Sequence, residues 1–298
     1  MKVNKLTVKD KTLFKYYLSF RKHALSAYSF TNIWLWSSHY KIRWALIDGY
    51  LCVFFSDRLG TFLFLPPLGE NFSSKLAHRL SSVLNELNSG SPVARIENIE
   101  KEEIGFWKQE GFKTVEKFPE YFCLQKDIAF LRGNKFKHQR ASYNHFLKQN
   151  YSETLSYNKK FSGECLKLYH VWMLKRQKDY SDKIYVGMLK DSYECFKFLL
   201  KNYSGFEVKG YLVKLGRKLA GFTFGFPISQ ETFCVLYEVT DLTCKGLSAY
   251  IFSSFAQSLN EYKYLNIMDD SGLANLKKTK QLWKPAFLEP AYIANINR

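Results

Sequence analysis

The order in which turn signals interrupt the apolar runs of the second half constrains this chain most. Gly210-Tyr-Leu-Val-Lys-Leu215 is followed by a turn at Gly216-Arg217, a run from Leu219 to Phe226, a turn near Pro227 to Gln230, and a run from Thr232 to Val239. Apolar runs joined by such short turns predict an antiparallel meander. A helical stretch over Lys245 to Leu259 comes next, then a strand Tyr264 to Ile267, a helix Leu273 to Gln281 and a last strand near Phe287 to Ile293. Strand–strand–strand–helix–strand–helix–strand requires a mixed sheet covered by helices, an α+β arrangement.

That order is the order of an N-acyltransferase (GNAT-like) unit, and the first half follows the same plan. A helix over Lys11 to His23 precedes a hairpin, Trp44-Ala-Leu-Ile-Asp-Gly-Tyr-Leu-Cys-Val-Phe-Phe55, whose Asp48-Gly49 suits a type I′ turn. A strand Thr61 to Pro66, a helix Asn71 to Leu87, a strand Ala94 to Ile99 and a short helix Glu102 to Gln109 follow. The expected fold class is therefore α+β, with two tandem GNAT-like mixed αβ subdomains. Residues 1–127 form the first and 128–298 the second, which opens with a helix at 134–149 and carries further helices near 163–178 and 187–200.

Composition adds the charge. The 298 residues are 46% apolar and 24% charged, which excludes wholesale disorder, collagen and a long coiled coil. Aromatics make up 17%, so a core of large flat side chains is expected. Lys and Arg number 44 against 27 acids, a net charge of +17 that favours polyanionic partners. The excess is concentrated. Residues 11–47 and 128–152 contain no acid, and a lysine cluster lies at 277–284. In the first stretch Trp34, Trp36 and Trp44 are interleaved with cations, an arrangement that stacks bases, meets a lipid interface or simply builds core. In the second, Lys137, Arg140 and Asn144 fall on one helical face, as suits phosphate contact and equally a solvated basic helix.

Two acidic segments carry candidate chemistry. Glu238 and Asp241 close the last meander strand before Lys245-Gly246-Leu247, where a helix start can receive a phosphate or a developing oxyanion. Only Gly246 is available there, so the Gly-rich pyrophosphate loop of acetyl-CoA enzymes is absent. Asn266-Ile-Met-Asp-Asp-Ser-Gly-Leu273 leads into a lysine-bearing helix, and Asp269 and Asp270 suit N-capping or the orientation of an attacking group. No metal spacing is found among the six histidines, and the six cysteines stand singly, as reduced thiols of a cytoplasmic protein do. The N-terminal lysines have no apolar block behind them, and no run approaches transmembrane length, so neither a secretory signal nor a membrane span is expected.

In order along the chain, these segments resemble the C-terminal domain of bacterial phosphatidylglycerol lysyltransferases and its stand-alone soluble relatives. Tyr28-Ser-Phe-Thr-Asn-Ile-Trp-Leu-Trp36, Leu65-Pro-Pro-Leu-Gly69, Leu131-Arg-Gly-Asn-Lys-Phe-Lys-His-Gln-Arg-Ala-Ser-Tyr-Asn144 and the 266–280 segment carry the resemblance, with Glu238, Asp241 and Lys245-Gly246-Leu247. Where the family shows Ser then Tyr, this chain has Leu282 and Trp283, and the membrane half has no counterpart here. The resemblance implies transfer of an aminoacyl or acyl group to an amine or hydroxyl, in membrane-bound members from aminoacyl-tRNA to a lipid headgroup. Carried over by position, Glu238 and Asp270 would assist the chemistry. Lys135, His138, Arg140, Asn144, Asp241, Asn266, Lys277 and Lys280 would bind substrate. No cofactor is implied beyond the donor, aminoacyl-tRNA or acyl-CoA. A CoA-dependent N-acyltransferase and a non-catalytic module for RNA or an anionic membrane surface remain alternatives on the same fold, the last placing the protein at the periphery of the inner membrane.

Overall fold

The computed structural model describes residues 2–89 and 93–296. In chain order the elements are β1 (Asn4–Lys5), α1 (Lys11–Leu18), α2 (Phe30–Leu35), β2 (Lys41–Ile47), β3 (Tyr50–Ser56), β4 (Thr61–Leu63), α3 (Ser74–Asn88), β5 (Arg95–Ile99), α4 (Ile104–Gln109) and β6 (Lys113–Glu116). The chain continues through β7 (Glu120–Leu124), α5 (Gln125–Phe130), α6 (Lys137–Gln149), β8 (Ser152–Ser156), α7 (Ser162–Asp179) and α8 (Lys183–Lys201). It closes with β9 (Lys209–Leu215), β10 (Lys218–Pro227), β11 (Thr232–Thr240), α9 (Leu247–Gln257), β12 (Tyr264–Asn266), α10 (Ala274–Leu282), β13 (Phe287–Glu289) and β14 (Tyr292–Asn295).

Two compact units result, Met1–Glu120 with Glu289–Arg298, and Tyr121–Leu288. The first unit's sheet has the strand order β1-β2-β3-β4-β5-β14-β6. Its hairpin turns at Asp48 and Gly49, both at positive φ (51° and 87°), as the dipeptide predicts. β4 and β5 then pair in parallel at Leu63 and Ile96. Helix α3 starts where the Ser73 side chain accepts the Leu76 N–H, and it buries Leu76, Leu80 and Leu84 against the sheet.

The second unit's sheet has the order β13-β7-β12-β11-β10-β9-β8. The meander β9-β10-β11 is antiparallel, and β11 and β12 are parallel. Aromatic side chains fill its core as composition suggests, with Phe196 stacked on Phe222 at 4.9 Å and Phe224 edge-on to both. Trp34, in the first unit, is also core, 9% exposed and stacked on Phe30. It is not an exposed stacking platform.

The strand expected near 287–293 is instead two short strands with different destinations. β13 joins the second sheet, while β14 lies between β5 and β6 in the first. β7, expected in the first subdomain, pairs antiparallel with β12 in the second sheet. The first unit thus ends at Glu120, against an expected boundary after 127, and residues 289–298 return to it. Local periodicity marks a strand without naming its partner, so an exchange of strands between two similar sheets leaves no trace in hydropathy.

Candidate functional site

β11 and β12 are in register for only three pairs, from Thr232 with Tyr264 to Cys234 with Asn266. β11 runs on to Thr240 while β12 ends, and a cavity of about 450 Å³ lies beyond the last pair, walled by Val235 to Thr240, Ile267 to Asp269 and helices α7, α8 and α10. Its polar lining includes Arg176, Ser192, Glu238, Ser248, Asp269 and Lys280. Parallel strands that part at their carboxyl ends leave such a crevice by construction, because the backbone there has lost its ladder partner.

Glu238 is the group best placed for proton transfer. It lies in β11 opposite Thr223 of β10, and its Oε1 accepts a 2.7 Å hydrogen bond from the Ser248 hydroxyl in the first turn of α9. Burial pushes its carboxyl up to about 7, and the Ser248 hydrogen bond pulls weakly the other way. A carboxyl that titrates near neutrality exchanges protons readily at working pH. Positive charge enters the same cavity from Lys280, whose Nζ donates to the Ile267 carbonyl, and from Arg176, whose guanidinium lies 5.6 Å from the Trp172 ring centroid.

Asp270 does not line this cavity. It is 4% exposed, accepts a 2.5 Å hydrogen bond from the Tyr121 hydroxyl through Oδ2 and holds the Gly272 N–H at 2.9 Å through Oδ1. The neighbouring polar residues do similar work. Asn266 accepts the Met268 N–H and Asp269 accepts the Ser271 N–H, both at 2.7 Å. Three side chains thus brace the loop after β12 by accepting an N–H two residues on, and the loop carries Met268 and Ser271 at positive φ (62° and 50°). None of them caps α10, whose N-cap is Leu273. Asn266 is buried, so its part is to hold the loop that presents Asp269 and Ser271 to the cavity.

The basic helix lies elsewhere. Residues 134–136 form a 3-10 turn and α6 proper starts at Lys137. Lys135 is paired with Asp127 at 2.5 Å, and Arg140 donates to the Leu131 and Gly133 carbonyls, the latter at 3.0 Å. His138 and Asn144 are exposed, and none of the four lines the cavity. Gly246, at φ 85°, ends the turn before α9, where a Cβ would stand 2.2 Å from the Ser142 carbonyl oxygen of α6. Close helix packing therefore requires this glycine. Asp241 and Lys218 are joined at 2.6 Å on a second cavity of about 520 Å³, which shares Trp172, Thr240 and Leu242 with the first. Burial works to raise the Asp241 carboxyl, but hydrogen bonds from Lys218 and Thr243, with the Lys218 charge, bring it down to about 2. Lys277 is exposed and outside both cavities.

Of the ten site residues expected from sequence, the structure gathers Glu238 and Lys280 in one cavity. Asp269, which the sequence offered beside Asp270 for the orientation of an attacking group, joins them there, and so do Arg176, Ser192 and Ser248, which it did not single out as site residues. Trp172 and Arg176, one turn apart in a helix visible from periodicity, are the one local signal that pointed toward that wall. Among the described residues no group of three or more His, Cys, Asp or Glu is arranged to hold a metal ion, and no helix is long and apolar enough to cross a membrane.

Residues 19–295 match the family model described as phosphatidylglycerol lysyltransferase, C-terminal. No curated protein matches the chain. Among solved structures, a conserved protein of unknown function from Bacteroides thetaiotaomicron VPI-5482 is 22% identical, with a TM-score of 0.87 and 99% of each chain covered. L-PGS from Bacillus licheniformis is 15% identical at a TM-score of 0.68, covering 97% of this chain and 93% of that one. A tandem GNAT protein from the clavulanic acid biosynthesis pathway is 9% identical at a TM-score of 0.53, covering 100% and 99%. These likenesses establish the tandem GNAT-like fold.

Proposed function

We propose, from the premise that the chain belongs to the phosphatidylglycerol lysyltransferase C-terminal family, that it transfers an aminoacyl group from an aminoacyl-tRNA-like donor to an amine or hydroxyl acceptor. A transferase-like fold is common to this family and its structural neighbours. The observation that carries the further step is Glu238, a carboxyl raised to about 7 on the wall of the cavity between the parting strands. In its ionised form it takes the proton from the acceptor as the acceptor's nitrogen or oxygen bonds to the donor's carbonyl carbon. The tetrahedral intermediate then collapses, the bond to the donor's leaving oxygen breaks, and that oxygen departs with a proton returned from Glu238 or water. Ser248 fixes the carboxylate, and Lys280 and Arg176 supply positive charge where the oxyanion or a phosphate carries negative charge. Asp270 acts at one remove, through the loop it braces.

The test is single-turnover transfer from aminoacyl-tRNA and, in parallel, from acyl-CoA. Glu238→Gln is expected to slow transfer about 10²–10⁴-fold while donor affinity holds, and to remove a rise in wild-type rate centred near pH 7. Equal rates in wild type and variant overturn the assignment of Glu238. Turnover of acyl-CoA alone replaces the donor, and polyanion binding without turnover of either removes the transferase.

A further inference from the structure

A buried hydroxyl of the second unit stands across the sheet from Glu238. Thr223 of β10 is fully buried, and its Oγ1 makes no hydrogen bond among the described residues. In the antiparallel pairing of β10 with β11, Thr223 is directly opposite Glu238. Residues so paired point to the same face of a sheet, with Cβ atoms about 4.5–5.5 Å apart. That face lies under α9. Two residues before Thr223, a Cβ at Gly221 would stand 3.2 Å from Ile251 Cδ1 of α9, whereas Phe222 turns to the other face and stacks on Phe196 of α8. Ser248, which donates to Glu238, is in the first turn of the same α9.

A buried hydroxyl without a partner costs stability, and a valine of nearly the same shape would avoid that cost. The carboxyl opposite supplies a reason to keep it. Ser248 donates to Glu238 Oε1. Once ionised, the two oxygens of a carboxylate offer about four acceptor sites, and a buried carboxylate with one donor is poorly answered. Ionisable groups reach the same cavity from α7 (Tyr169, Arg176), its C-cap (Tyr180), α8 (Tyr185), β11 (Tyr237), the loop after β12 (Asp269) and α10 (Lys280), while α9 brings no charged side chain. None of their charges moves the Glu238 carboxyl, on which burial and the Ser248 hydrogen bond act. What the ionised form lacks is a further neutral donor.

We infer that Thr223 is a positioning residue whose hydroxyl, idle while Glu238 is protonated, turns to donate to its ionised carboxylate. The inference rests on the proposed role of Glu238 as the base. Rotation of the two side chains brings donor and acceptor together across the strand pair, with neither strand moving. Ser248 of α9 and Thr223 of β10 then hold the carboxylate from two elements, in the form that accepts a proton. Thr223 acts through Glu238 and touches neither donor nor acceptor.

Thermal melting of the full chain near pH 5 and near pH 8 tests this without a transfer assay. Thr223→Val is expected to melt above wild type near pH 5, where only an idle hydroxyl is lost. Near pH 8 that advantage is expected to shrink or reverse. Losing the donor raises the Glu238 carboxyl further, so the native state goes on losing stability to a higher pH. In a Glu238→Gln background the effect of Thr223→Val is expected to be the same at both pH values, and Thr223→Ser, which keeps the hydroxyl, is expected to follow the pH dependence of wild type. In single-turnover transfer, the midpoint of the rise near pH 7 is expected to move up by about half to one pH unit in Thr223→Val and to return in Thr223→Ser. Should Thr223→Val fail to fold, Thr223→Ala decides by the same comparison. A difference from wild type that is equal near pH 5 and pH 8, or one that stays unequal in the Glu238→Gln background, overturns the inference. A pH-dependent difference without any transfer supports the pairing of Thr223 with Glu238 and overturns only the proposed reaction.

Discussion

At the residue scale, Glu238 shows how a buried carboxyl on a cavity wall draws on the stability of its fold. Its carboxyl is raised from 4.5 to about 7, so the native state favours the protonated form. That contribution to stability is fully present below about pH 4.5 and is lost as pH rises through about 7. Glu238→Gln is therefore expected to raise the melting temperature near pH 8 and leave it almost unchanged near pH 5, while transfer falls. Paired melting curves at the two pH values check this, and a variant less stable than wild type near pH 8 contradicts it. Gly246 poses the opposite case, a residue that must be small and hold a positive φ. Gly246→Ala must keep φ near 85° and fit a methyl group 2.2 Å from the Ser142 carbonyl oxygen. A loss of about 2 kcal/mol or more is expected in denaturant unfolding.

At the scale of elements, two of the cations at the start of the basic helix are held by their own surroundings. Arg140 ties the start of α6 to the Leu131 and Gly133 carbonyls, and Lys135 answers Asp127. Arg140→Ala is expected to cost about 1–3 kcal/mol of stability and to lower transfer only as far as it lowers the folded fraction. A loss of donor affinity at full stability would return α6 to the donor site. The meander, the hairpin turn and α3 are legible in the sequence because each rests on local periodicity and turn chemistry, as at Asp48-Gly49 and Leu76-Leu80-Leu84. Glu238 is legible because its strand is. Asp270 misleads because a carboxylate before a helix reads alike whether it caps the helix, faces a cavity or accepts a buried tyrosine hydroxyl 149 residues away. Arg176, Ser192 and Ser248 stay hidden for a related reason, since the cavity that gathers them exists only once β11 outruns β12.

At the scale of the molecule, the net charge of +17 coexists with a first-unit cavity faced by five glutamates. The two units nonetheless share one plan, a meander, a parallel pair that parts, and a strand lodged beside it that comes from the distant half of the chain. Removing residues 289–298 is expected to bare the edges of β5 and β6, and amide exchange at Arg95–Ile99 and Lys113–Glu116 should quicken together. Unchanged protection in both strands would show that β14 is dispensable. The reciprocal lodging of β7 and β14 has a consequence for dissection of the chain. A cut near the middle leaves the first sheet without β14 and the second without β7, so each half alone carries bare strand edges and is expected to self-associate where the two halves together do not.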